Sequence, residues 1–161
     1  MSRFKNKLNT FLFFTFLIST ISCSKPAFYE KNTPVDSGIW ARELQPKFSF
    51  TIVDTLAAYN CFLNLRNSGD YKYSNLWLFV HTTSPSGLAY IDTIECLLAD
   101  KTGKWYGNSG SGGFWDNRIL FRVNTFFKDT GTYSVKIEQA MREEELQGIY
   151  DVGLRIENTK H

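Results

Sequence analysis

Cys23 is the residue whose surroundings most clearly announce chemistry. Arg3, Lys5 and Lys7 precede an apolar run from Phe11 to Ile18, and Thr20-Ile21-Ser22 lead into the cysteine. A positive segment, a short apolar stretch and small residues before one thiol form the layout of a bacterial lipoprotein signal. The apolar run falls short of the ~20 residues that a bilayer-spanning helix requires. Cys23 would take a diacylglycerol on its sulfur, be cleaved from Ser22 and be acylated on its new amino group. At roughly 0.8 kcal/mol per buried CH₂, several acyl chains hold a protein on a membrane durably.

A second chemical setting is the run Lys104-Trp105-Tyr106-Gly107, Asn108 to Gly113, then Phe114-Trp115-Asp116. Exposed aromatic faces beside amides and carboxylates stack on sugar rings or grip peptides, and glycines let the backbone approach a ligand. The plainer expectation is that Trp105 and Trp115 close one end of the core. A third candidate is Met141-Arg142-Glu143-Glu144-Glu145-Leu146. Met141 and Arg142 have the composition of interface anchors, while Glu143 to Glu145 read as a solvated run.

Catalytic groups are scarce. The two histidines are His81, in a strand, and His161, at the terminus, too few for a histidine-rich zinc site. A serine triad would have to rely on His81. Asp92 and Glu95 are three apart on a strand and so face opposite ways. Asp100 and Asp116 flank the glycine-rich loop and read as turn residues before they read as an acid–base pair. No phosphate loop, EF-hand or nucleotide fingerprint is present, and neither a metal nor any cofactor besides the covalent lipid is expected.

These groups must be held by a framework that reads as strands. Phe48, Phe50 and Ile52 alternate with polar residues, as do Tyr59 to Arg66, Tyr133 to Glu138, and Ile149 to Glu157. Leu76–Thr83, Leu88–Ala99 and Arg118–Phe127 complete the set. Seven or eight strands with frequent turns predict an all-β fold, an antiparallel β-sandwich of immunoglobulin-like or jelly-roll-like type. One short helical turn is predicted over Gln139–Leu146. Asp129-x-Gly131-x-Tyr133 reads as a tyrosine corner. Cys61 and Cys96 sit among aliphatic neighbours; free buried thiols are favoured, with a disulfide open.

The predicted division is a signal over 1–22, a lipidated tether and lead-in segment over 23–46, and a sandwich domain over 47–161. Pro26, Pro34 and Pro46 punctuate the tether, and Phe28, Tyr29 and Trp40 suggest that parts of it lie on the domain. Removing 1–22 takes away three of 18 basic residues and no acidic one, leaving 15 against 16 and a net charge of −1. The basic pI thus belongs to the signal, and nucleic-acid binding loses its electrostatic footprint.

Several blocks taken together resemble GldH, a family of gliding-motility lipoproteins of the Bacteroidota. They are Tyr73-Ser74-Asn75-Leu76-Trp77-Leu78-Phe79, Asp92-Thr93-Ile94-Glu95, Leu98-Ala99-Asp100 and Gly103 to Gly107. Gly131-Thr132-Tyr133, Glu138 to Arg142, Leu146-x-Gly148-Ile149 and Asp151 to Glu157 complete the series. The resemblance implies a non-enzymatic component of the gliding machinery and the linked type IX secretion apparatus, with the membrane and other proteins of those systems as partners. It supplies no catalytic or ligand-binding residue. Surface-exported lipoproteins of that phylum commonly carry an acidic run after the lipidated cysteine. Its absence here points to the periplasmic face, on the outer membrane's inner leaflet rather than the inner membrane. The alternative is a periplasmic carbohydrate- or peptide-binding lipoprotein that uses the Trp105–Trp115 loop.

Overall fold

The computed structural model describes residues 27–159, so the signal, Cys23 and His161 lie outside the described residues. Eleven strands follow in order: β1 Tyr29–Pro34, β2 Ile39–Ala41, β3 Lys47–Ile52, β4 Ala58–Ser68, β5 Asn75–Thr83, β6 Ala89–Leu97, β7 Asn108–Ser109, β8 Phe114–Phe126, β9 Gly131–Gln139, β10 Glu145–Gln147 and β11 Ile149–Asn158. All named pairings are antiparallel. One sheet runs β1-β11-β4-β8-β7, a second β3-β9-β5-β6, and β2 pairs with β10. This is the expected β-sandwich.

The period-2 pattern accounts for the layers. Phe48, Phe50 and Ile52 of β3 and Tyr133, Val135 and Ile137 of β9 point inward from one sheet. Cys61, Leu63 and Leu65 of β4 and Val152, Leu154 and Ile156 of β11 meet them from the other. Burying one such aliphatic side chain stabilises the fold by roughly 1.5–3 kcal/mol. At one end Phe50 stacks on Tyr133 at 5.7 Å, and Phe127 meets both edge-on. The tyrosine corner is present: the Asp129 N–H donates to the Tyr133 phenol oxygen at 3.0 Å.

One sequence expectation is corrected. The helical turn lies at Asp36–Gly38 as a short 3-10 turn, where Gly38 has φ +68° and the Tyr150 ring covers the space a side chain would need. Gln139–Leu146 is instead a strand end, a turn and β10. Backbone groups that a helix would pair internally are taken there by the side chains of Gln139 and Arg42. Part of the 23–46 segment read as a tether and lead-in is strand. Tyr29–Pro34 pairs with β11 along its whole length, and Trp40 is fully buried. Charged residues and a closing proline suit β1 to a sheet edge, which explains its weak apolar signal.

Candidate contact site

The best-organised surface feature is the turn that joins β9 to β10. β9 delivers a fully buried Gln139, whose amide donates to the Glu143 carbonyl at 2.8 Å while its own carbonyl accepts the Met141 N–H at 2.9 Å. From the other side Arg42, just past β2, donates through Nη2 to the carbonyls of Met141, Arg142 and Glu143 at 3.0, 3.2 and 3.1 Å. Its Nε meets Glu144 Oε2 at 3.0 Å. Charge-assisted hydrogen bonds of this kind contribute about 1.5–3 kcal/mol each when well shielded, and less here because the site is partly wet. Trp77 adds a third brace: its carbonyl accepts the Ala140 N–H at 2.8 Å and its N–H donates to Met141 Sδ at 3.4 Å.

A cavity of about 320 Å³ opens beside the turn, lined by Tyr71, Lys72, Tyr73, Glu143, Glu144, Glu145 and Gln147. The Tyr73 phenol donates to Glu143 Oε1 at 2.8 Å and Lys72 Nζ lies 3.3 Å from the same oxygen. The phenol hydrogen bond, with Lys72 behind it, holds the Glu143 carboxyl below the usual carboxylate range. The same hydrogen bond pushes the Tyr73 phenol up. Glu143 is therefore half-buried and engaged, whereas Glu144, Glu145 and Arg142 are exposed. Met141 is half-buried against the core.

The aromatic loop is organised differently. Trp105 and Trp115 lie against each other at 5.6 Å, both half-buried, and Trp105 packs on the core. Phe114 meets Tyr150 edge-on at 4.8 Å. Tyr106 is the exposed ring of the set, 60% accessible. Asp100 and Asp116 are engaged separately. Asp100 accepts from the Thr102 hydroxyl and from the Thr102 and Lys104 N–H groups, which lower its pKa. Asp116 forms a two-point pair with Arg66 at 2.7 and 3.1 Å. Asp92 is held by Arg122, Glu95 by Asn75, and His81 by Glu138 at 3.0 Å. Among the described residues no group of three or more His, Cys, Asp or Glu is placed to hold a metal ion. Cys61 and Cys96 are free and buried, and burial pushes both thiols up to about 12.

Sequence reasoning missed Arg42, Gln139 and Tyr73 as the residues that shape the turn. It also missed a polar groove of about 520 Å³ on the outer face of the five-stranded sheet. There Arg66 bridges Asp116 and Asp151, and Asn64 donates to Glu30 at 2.8 Å and to Asn32 at 3.1 Å. Alternate polar positions on β4 and β11 carry a sequence signal for that face. Arg42 carries none, because its partners lie about a hundred residues away.

Among the described residues no helix is long and apolar enough to cross a membrane. A solved structure of a family GH115 4-O-methyl-α-glucuronidase, BtGH115A, overlaps with a TM-score of 0.42 and 9% identity over 86% of this chain and 18% of that one, too distant to bear on function. Closer similarity exists at the sequence level. The chain is 32% identical over 162 residues to a protein of Christiangramia forsetii named gliding motility lipoprotein GldH homolog, covering 96% of this chain and 98% of that one. It is 35% identical over 150 residues to gliding motility lipoprotein GldH of Flavobacterium johnsoniae, covering 87% and 90%. A sequence model of the GldH lipoprotein family matches residues 27–156, and the chain belongs to that family.

Proposed function

We propose that this protein is a lipid-anchored, non-enzymatic component of the gliding motility machinery and the linked type IX secretion apparatus, where it serves as a protein-contact platform. The gliding role is supported by the names of relatives that align over nearly the whole chain. The platform role is supported by one observation above others: the Met141–Glu144 turn is braced by Arg42, Gln139 and Trp77 while Arg142 and Glu145 project into solvent. A rigid turn that displays charge loses little entropy on docking.

Residues 1–22 act as the signal and Cys23 as the lipid attachment point. Because β1 begins at Tyr29, the reach from Cys23 is six residues, at most about 20 Å when extended. The sandwich therefore sits close to the membrane, on its periplasmic side. Trp105 and Trp115 serve to close the end of the core, with Tyr106 alone offered to solvent.

The test is the double variant Arg142→Glu plus Glu145→Lys in a gliding host, with protein abundance measured in parallel. Loss of spreading at normal abundance is the expected result. Wild-type motility would remove the platform role from this turn.

A further inference from the structure

Among the described residues the two open sheets expose four edges, and three of these are blunted. β1 carries Glu30, Lys31 and a closing Pro34. β8, which the two-residue β7 covers only at Trp115 and Asp116, is broken by register shifts opposite Tyr59–Phe62 and by Asn124 at φ +47°. β3 is short, begins with Lys47, and has the Tyr29 phenol bonded to the Ser49 backbone. Bulges, charges, proline and short length are the devices by which edge strands avoid pairing with other chains.

β6 is blunted less: its two charges, Asp92 and Glu95, are engaged by Arg122 and Asn75. It runs nine residues, Ala89–Leu97, in unbroken register with β5, and lacks lysine and proline. Its hydrogen-bonding phase is fixed at both ends: Ser84 N–H donates to the Leu88 carbonyl and Leu98 N–H to the Ser74 carbonyl, each at 2.8 Å. Antiparallel ladders alternate between bonded and non-bonded pairs. Tyr90, Asp92, Ile94 and Cys96 therefore spend their backbone groups on β5. Ala89, Ile91, Thr93, Glu95 and Leu97 aim theirs away from the sheet. On the sheet's outer face Ile91 is 61% and Leu97 58% exposed.

A row of alternating backbone donors and acceptors is matched fully only by another extended backbone. We propose that the occupant is a second copy of this chain, with the two β6 strands pairing antiparallel about a two-fold axis at Thr93. This register is self-complementary. Thr93 faces its own symmetry mate, Ile91 faces Glu95, and Ala89 faces Leu97, so every outward residue finds an outward partner and no like charges are directly opposed. The two Glu95 carboxylates fall four residues apart along the strand, about 14 Å, beyond the ~8 Å screening length of physiological salt. Each is already drawn toward β5 by Asn75 Nδ2 at 2.6 Å. Asp92, the charge on the inner face, is neutralised by Arg122 Nε at 3.0 Å. Pairing joins two four-stranded sheets into one, an isologous contact of the commonest oligomeric symmetry.

Thr93→Cys in the full-length protein, oxidised mildly in native membranes, tests the register. A bonded antiparallel pair on the axis has Cα atoms about 5.5 Å apart, within disulfide range. The expected result is a disulfide-linked species of twice the chain's mass with Thr93→Cys and its loss with Ser49→Cys on the opposite edge. Equal yields from both sites, or a Thr93→Cys adduct with a different protein and none at twice the mass, overturn the proposal. Thr93→Pro provides the second arm. It deletes an outward N–H and leaves the β5 ladder intact, so it should convert a sedimenting dimer of the detergent-solubilised protein to monomer. Should that variant misfold, Ile91→Lys is used for the same measurement. A wild-type protein that sediments as a monomer also overturns the proposal.

Discussion

Arg42 and Glu144 are 102 residues apart in sequence and meet at 3.0 Å, with the same guanidinium collecting three carbonyls of the intervening turn. One side chain from the β2 end of the chain thus fixes the shape of a turn near the other end. Arg42→Ala should destabilise the domain by about 1–3 kcal/mol, since it strands carbonyls that water reaches only partly. Arg42→Lys should recover less than half of that loss, because an ammonium cannot span Nε and Nη2 partners at once. Urea unfolding of the three proteins checks both statements. Equal stability of all three would show the turn to be held by Gln139 and Trp77 alone.

The Glu143–Tyr73 pair should make the turn sensitive to pH in two directions. Glu143 titrates below its unfolded value, so its contribution is present above the ordinary carboxylate pKa of ~4.3 and is lost as pH falls through the folded value. Tyr73 titrates above its unfolded value, so its contribution is full below about pH 10 and is lost as pH rises through the folded value. Tyr73→Phe should flatten both limbs of a stability–pH curve. An unchanged curve would separate the hydrogen bond from stability.

The strands were legible because their burial alternates: Phe48 to Ile52 and Tyr133 to Ile137 read as period-2 segments and are so in three dimensions. β1 was not legible, since an edge strand with one face in solvent buries too little to leave a periodic trace. The turn after Gln139 read as helical because Gln139 to Leu146 is rich in helix-favouring residues, and local propensity yielded to side-chain hydrogen bonds from Arg42 and Gln139. The edge exposed by β6 was not legible, because it required the strand order.

Cys61 and Cys96 should resist thiol reagents in the native state. Both are buried, and thiols pushed up to about 12 supply little thiolate at neutral pH. Labelling should track unfolding, appearing through the same denaturant range as the loss of tryptophan signal. Rapid labelling of either in the native protein would mean that its sheet opens locally.

Trp115→Ala should cost about 1–3 kcal/mol, less than a fully buried aromatic, because the ring packs on Trp105 while half-exposed. Tyr106→Ala should change stability by no more than about 0.5 kcal/mol. Thermal melts of both variants check the contrast. A stable Trp115→Ala that loses affinity for an envelope glycan would favour a ligand-binding loop.

Gly148 joins β10 to β11 at φ +91°, with a Cβ there falling 2.7 Å from the Tyr71 backbone nitrogen. Gly148→Ala should therefore lower expression or stability sharply, through strain and through displacement of Tyr71 from the cavity beside the turn. Soluble yield and melting temperature check it, and a fold as stable as wild type would contradict the tight approach of Gly148 to Tyr71.

The proposed role of the braced turn is contact with other proteins of the gliding and secretion machinery from a membrane anchor. A photo-crosslinking residue placed at Arg142 in living cells tests it most directly, with the same residue at Ser134 and the unanchored Cys23→Ala protein as controls. Discrete adducts with motility or type IX secretion proteins are expected from position 142, weaker at 134 and absent without the anchor. Adducts of equal intensity from both positions, or none from 142 in a cell that still glides, would contradict it.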